Sequence, residues 1–186
     1  MWSRRESPIR FLSHYRRMAG LLYANQNPKT GRDLWVLPLT ADRKPQVFVN
    51  TAFDHWNGQF SPDGRWVAYQ SNQSGRDEIY VRPFPGPGIQ HQISTNGGSM
   101  PRWRTSGEEL YFIAPSGLLM AVQVPTSGPT FEVGDPTALF QTRIRPTSVR
   151  TLYAVAPDGR FLFSIPDEGG ALSPITVILN WAGRTK

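Results

Sequence analysis

Short apolar runs set between turn signals recur along the chain. Trp66-Val67-Ala68-Tyr69 has no helical period, and its short length and β-branched and aromatic content predict a strand buried on both faces. Ser61-Pro62-Asp63-Gly64 precedes it in the preferred residue order of a type I turn. A polar stretch from Gln70 to Arg76 follows. Glu78-Ile79-Tyr80-Val81-Arg82 then reads as a second strand, and Pro83 ends it.

The pattern repeats. A slide of 43 residues lays Gln59–Tyr69 on Arg102–Phe112 without a gap. A slide of 95 lays Pro62-Asp63-Gly64-Arg65 on Pro157-Asp158-Gly159-Arg160, followed by Phe161-Leu162-Phe163. Gly75-Arg76-Asp77 and Tyr80 echo Gly31-Arg32-Asp33 and Trp35, with Trp35 and Tyr80 45 apart. A period in the forties with about four strands per unit is the signature of a β-propeller blade, so the expected fold is all-β, a propeller of about four blades. Residues 20–55 form a partial blade, 56–99 and 100–145 two blades, and 146–186 a partial terminal blade. The outer strand of the third blade falls at Phe131 to Val133 or at Ala138 to Phe140, and the last strand at Ile175 to Trp181.

FSPDGRWVAY and APDGRFLFS resemble the WD-like repeats of TolB-type propellers. The run from Leu21 to Lys186, above all SPDGRWVAYQSNQSGRDEIYVRPFP and SPITVILNW, resembles the carboxy-terminal part of the propeller that follows the kinase domain in some bacterial serine/threonine kinases. That resemblance implies an arc of a larger ring of about six blades. It also implies a periplasmic or otherwise extracytoplasmic location.

Charge changes this picture little. The formal net charge is +6, but five arginines and one glutamate lie in the first 17 residues, leaving 15 basic and 13 acidic side chains in the rest. The repeat body is therefore not a polyanion binder, and no nucleic-acid partner is expected. Residues 1–19 do not fit the repeat and are expected to be a disordered or mis-started amino end; no apolar segment follows Arg4-Arg5 to make a secretory signal. No apolar run approaches the length of a membrane span, and the absence of cysteine excludes disulfides and thiolate chemistry.

Catalytic motifs fail in turn. His14, His55 and His91 lack metal-ligand spacing, Ser99 in Gly97-Gly98-Ser99-Met100-Pro101 is not a nucleophile elbow, and no kinase signature occurs. No catalytic residue, metal or cofactor is expected. Adjacent carboxylates at Asp77-Glu78, Glu108-Glu109 and Asp167-Glu168 face opposite sides of their strands, which argues against paired acid/base work. Asp63 and Asp158 are assigned to turn structure. Asp33 and Asp77 are read as each ordering its own turn, rather than as joint cation ligands.

The resemblance implies binding candidates on loops at one rim: Asn50 to Trp56, Asn96 to Met100 and Arg145 to Arg150, with Asn72 to Asp77 beside them. Asp54, His55 and Trp56 form the richest group. The plainer reading packs Trp56 at the blade start and leaves Asp54 and His55 as solvated loop residues whose replacement hardly alters stability. Ser99 belongs to a neighbouring loop. Arg102 and Arg104 flank Trp103 on an innermost strand, where alternation puts both on one face, toward the channel. The expected function is a non-catalytic interaction or sensor module that binds a protein or peptide. The alternative is the accessory propeller of a prolyl oligopeptidase-like hydrolase. With no amino-terminal strand to pair with Ile175–Trp181, an open arc is expected, whose uncovered blade faces would self-associate.

Overall fold

The computed structural model describes residues 20–40, 43–124, 131, 133–145 and 151–164. Among them thirteen strands form four antiparallel sheets in chain order. The first holds β1 (Gly20–Asn27), β2 (Gly31–Pro38) and β3 (Gln46–Val49). The second holds β4 (His55–Phe60), β5 (Trp66–Ser71), β6 (Glu78–Pro83) and β7 (His91–Gln92). The third holds β8 (Ser99–Trp103), β9 (Glu109–Ile113), β10 (Leu118–Gln123) and β11 (Thr137–Gln141). The fourth shows β12 (Tyr153–Val155) and β13 (Phe161–Phe163). Each strand pairs with its neighbour in sequence, the meander expected of propeller blades. The predicted strand at Ile175–Trp181 and the amino-terminal 1–19 lie outside the described residues.

The turn before β5 forms as its residues dictate. Gly64 N donates to Ser61 O at 2.9 Å, Ser61 Oγ donates to Asp63 Oδ1 at 2.6 Å, and the same oxygen takes Arg65 N at 3.0 Å. Asp158 repeats this by accepting Arg160 N at 3.1 Å. Gly64 and Gly159 close these turns at φ 73° and 85°, the left-handed region that a β-branched residue resists. Gly64→Val and Gly159→Val are each expected to cost about 1 kcal/mol or more. Unchanged thermal midpoints for both variants would show that the turns relax without penalty.

Three cores fill the seams between successive sheets. Val67 and Tyr69 of β5 join Leu22, Leu34 and Val36 in the first, whereas Ala68 between them joins Trp103, Leu110 and Phe112 in the second. Tyr111 and Ile113 of β9 turn the other way, into the third core with Leu119 and Tyr153. The apolar runs Trp66–Tyr69 and Leu110–Ile113 are thus unbroken because each face meets a different sheet. The matched positions Phe60, Trp103 and Val155 serve the first, second and third cores in turn. The open choice for the third outer strand falls on Thr137–Gln141, while Phe131 packs on Trp66 with ring centroids 4.6 Å apart.

Two innermost strands depart from regular alternation. The register of β4 against β5 shifts between Trp56 and Gln59, and that of β8 against β9 between Ser99 and Arg102. Asn57 and Met100 take φ 51° and 57° there, 43 residues apart, so the bulge itself is part of the repeat. Gln70 ties the two together: its Oε1 accepts Asn57 Nδ2 at 2.9 Å and Met100 N at 3.2 Å.

Candidate functional site

The loop before β4 is built around Asp54. Its Oδ1 accepts Arg32 N at 2.8 Å and Arg32 Nε at 3.1 Å, and its own N–H donates to Asn72 Oδ1 at 3.0 Å. The Arg32 guanidinium lies 4.2 Å from the centre of the Trp56 ring, so one arginine joins a carboxylate to an indole face. Burial pushes the Asp54 carboxyl up, but the hydrogen bonds and charge of Arg32 outweigh it and hold the group below its usual range. Asp54 is therefore a fixed, half-buried strut between the first two sheets, not the solvated loop residue expected from the sequence.

His55 corrects the expectation further. It is fully buried, hydrogen-bonded through Nε2 to Thr51 Oγ1 at 2.7 Å, and set edge-on to Tyr69 with ring centroids 5.8 Å apart. The side chain that looked like a loop residue starts a strand whose first two residues, His55 and Trp56, are both buried. Burial pushes its pKa down to about 4; Asp33 and Asp54 oppose that, and Arg82 adds to it. An unfolded histidine titrates near 6.5, so between these values the unfolded chain binds more protons than the folded one. The contribution to stability is complete above the unfolded value and is lost as pH falls toward the folded one. About 2 kcal/mol is expected to disappear from about pH 7.5 to about pH 5, and His55→Gln should flatten that slope. Denaturation midpoints across this range, compared between the two proteins, check it. Equal slopes would mean that the imidazole stays hydrated in the native state.

Trp56 is buried at the blade start, as the plainer reading had it. Asp33 is fully buried and orders its own turn, its Oδ2 accepting Asn27 Nδ2 at 3.2 Å and Thr30 Oγ1 at 3.1 Å. Asp77 does not order its own turn. Its Oδ2 takes Gln70 Nε2 at 2.8 Å, the amide that also holds the two bulges. Among the described residues no group of three or more His, Cys, Asp or Glu could hold a metal ion.

The seam between the second and third sheets carries residues that sequence reasoning missed. Glu78 is fully buried, and its carboxylate accepts Ser94 Oγ, Gly97 N at 2.8 Å and Arg76 Nε at 2.9 Å. It pins the connection that leads into β8. An acidic residue opening an apolar strand was the available signal. On the same rim a cleft of about 190 Å³ is lined by Arg76, Asp77, Gly97, Gly98, Ser99, Ile113 and Pro115. Gly98 admits the close approach: a Cβ there would come within 2.6 Å of Ser94 Oγ and 2.9 Å of Ile79 Cγ1. Ser99 is buried, and its hydroxyl donates to Ile113 O at 3.2 Å. The cleft joins two of the expected loops, Asn72–Asp77 and Asn96–Met100. Asp54, His55 and Trp56 belong instead to the neighbouring seam, and of Arg145–Arg150 only Arg145 is among the described residues.

Arg102 and Arg104 flank Trp103 on one ladder with β9: Arg102 stands opposite Tyr111, and Arg104 N donates to Glu109 O at 2.8 Å. Just past the end of β8, Arg104 Nη1 also donates to Glu109 Oε2 at 2.5 Å. Glu109 neutralises the charge that alternation assigned to the channel. Arg102 is half-buried, and its Nη1 donates to Pro101 O at 2.9 Å. A larger cleft of about 360 Å³ lies at the opposite end of the same seam, beside the Ser61–Gly64 turn, and Trp66 and Trp103 contribute to its walls.

No family model matches the chain, and no curated protein matches it. Solved structures do. TolB from Acinetobacter baumannii superposes with a TM-score of 0.57 at 16% identity, over 76% of this chain and 33% of that one. A candidate TolB from Agrobacterium tumefaciens gives 0.53 at 17% identity, over 77% of this chain and 52% of that one. The chain thus spans about a third and about half of these two proteins. The likeness shows the fold, a TolB-like β-propeller, and the four sheets are blades of it. No helix among the described residues is long and apolar enough to cross a membrane.

Proposed function

We propose that the chain is a non-catalytic interaction module whose interblade rim, at the loops 72–77 and 96–100, binds an extended peptide or a loop of a protein partner. The cleft between the second and third blades carries the proposal. It is concave, it joins two loops on a rigid two-sheet scaffold, and it combines an apolar wall of Ile113 and Pro115 with polar Ser99 and Asp77. The nearby groups that catalysis would recruit have structural tasks instead. His55 is buried against Thr51, Asp54 is held by Arg32, and Glu78 pins Gly97 and Ser94. A TolB-like propeller is a scaffold used for many purposes, so this reading rests on the site and not on the fold. A place in a bacterial signalling protein, downstream of a serine/threonine kinase domain, is the finer proposal. It is supported by the phrases Ser61–Pro85 and Ser173–Trp181.

Panning a displayed random-peptide library against the immobilised chain tests the binding reading. Enriched peptides are expected to slow amide hydrogen exchange at 72–77 and 96–100. Failure to enrich any peptide, or protection confined to other surfaces, would overturn it.

A further inference from the structure

Five carboxylates among the described residues are ion-paired with an arginine: Asp54 with Arg32, Asp63 with Arg65, Glu78 with Arg76, Glu109 with Arg104 and Asp158 with Arg160. Asp77, which lines the interblade cleft, makes no such pair among the described residues. Its carboxyl is half-buried and takes one hydrogen bond from a neutral amide, Gln70 Nε2. The two arginines nearest in sequence or charge are engaged elsewhere. Arg76 is spent on Glu78 Oε1 and Thr95 O, and Arg32 on Asp54 and the Trp56 face.

We infer that the cleft accepts a cationic side chain, the ammonium of a lysine or the guanidinium of an arginine, presented by a peptide partner and paired with Asp77. This deepens the interaction reading above and rests on it. Three physical points support the choice of a cation. A half-buried carboxylate without a direct ion pair gains most from a donor that brings a positive charge, because charge-assisted hydrogen bonds are the strong ones. Neighbouring acids add to the negative potential: burial first, then the charges of Asp54 and Glu78, push the Asp77 carboxyl up, against the Gln70 bond and the Arg32 charge. The walls then suit an aliphatic stem, since Ile113 and Pro115 can cover the methylenes of a lysine or arginine while Ser99 lies beside them.

The probes are acetyl-Gly-Lys-Gly-amide, acetyl-Gly-Arg-Gly-amide and acetyl-Gly-Gln-Gly-amide, titrated at millimolar concentration and followed by amide chemical shifts. The lysine and arginine peptides are expected to saturate with shifts at 76–77 and 97–99, and the glutamine peptide to produce none there. Asp77→Asn keeps an oxygen for Gln70 and so the local fold. It should weaken the cationic peptides by about tenfold or more. Equal binding of the glutamine peptide, an unchanged affinity in Asp77→Asn, or no shifts at the cleft would each overturn the inference. Library peptides that protect the cleft yet carry no basic residue and ignore Asp77→Asn would sink it while leaving the interaction module standing. If no peptide reaches the cleft at all, both fall.

Discussion

Glu78→Ala is expected to destabilise the chain by about 3 kcal/mol or more, because it strands donors that have no other partner in the seam. Glu78 opens β6 and is fully buried, and its two oxygens take Ser94 Oγ, Gly97 N and Arg76 Nε. Ser94 Oγ in turn accepts Ile79 N at 2.9 Å, so the chain of bonds runs from the strand backbone through a hydroxyl to the carboxylate. Alanine would leave the Gly97 amide and the Ser94 hydroxyl unsatisfied beside a new cavity. Glu78→Gln should cost less, since one oxygen still accepts while the new amide faces a donor. Arg76→Ala should cost little, because the Arg76 side chain is 61% exposed and a water-exposed arm of such a pair contributes weakly. Urea midpoints for the three variants give the order directly. Equal losses for Glu78→Ala and Arg76→Ala would mean that the ion pair, rather than the buried acceptor, holds the seam.

How much of this fold could be read from residues alone depends on where the controlling contacts lie. The turn Ser61–Gly64 and the strand it feeds were legible because every interaction that shapes the turn comes from within five residues: Ser61 bonds Asp63, Asp63 bonds Arg65, and Trp66 N reaches Ser61 Oγ. The burial of β5 on both faces was legible as an unbroken apolar run. The bulges were not. Asn57 tolerates positive φ well enough to hint at one, but Met100 carries no such signal, and its conformation is fixed by Gln70 from 30 residues away. The bulge in β8 falls before Arg102, so the ladder from Arg102 through Arg104 keeps its register.

The site was less legible for the same reason. The loops 72–77 and 96–100 came from the family resemblance, and residues of both line one cleft. The role of Glu78 was not legible because its donors are Ser94 and Gly97, 16 and 19 residues on. His55 was misplaced because composition around Asn50–Trp56 looks like a loop. The switch to strand occurs at His55 itself, and the imidazole is buried there against Thr51 and Tyr69.

Trp103→Ala is expected to cost about 3–5 kcal/mol, the range for emptying a large aromatic from a packed core. Trp103 is 3% exposed and sits in the second core with Ala68, Val81, Leu110 and Phe112. It also fastens β8 to β4 across the seam: its backbone N–H donates to Gln59 Oε1 at 3.0 Å and its indole Nε1 to Gln59 O at 3.3 Å. Trp103→Phe keeps the backbone bond and most of the apolar volume, and should cost about 1–2 kcal/mol through the smaller ring and the lost indole donor. Because blades contact chiefly their neighbours, the loss should be local in the manner of a repeat array. Hydrogen exchange in Trp103→Ala is therefore expected to speed up first in β8, β9 and β10, with the β1–β2 pair of the first blade affected least. A uniform loss of protection would mean that the four sheets unfold as a single unit. A cost below about 1 kcal/mol for alanine would mean that the second core collapses onto the vacancy, which close packing between two sheets should prevent.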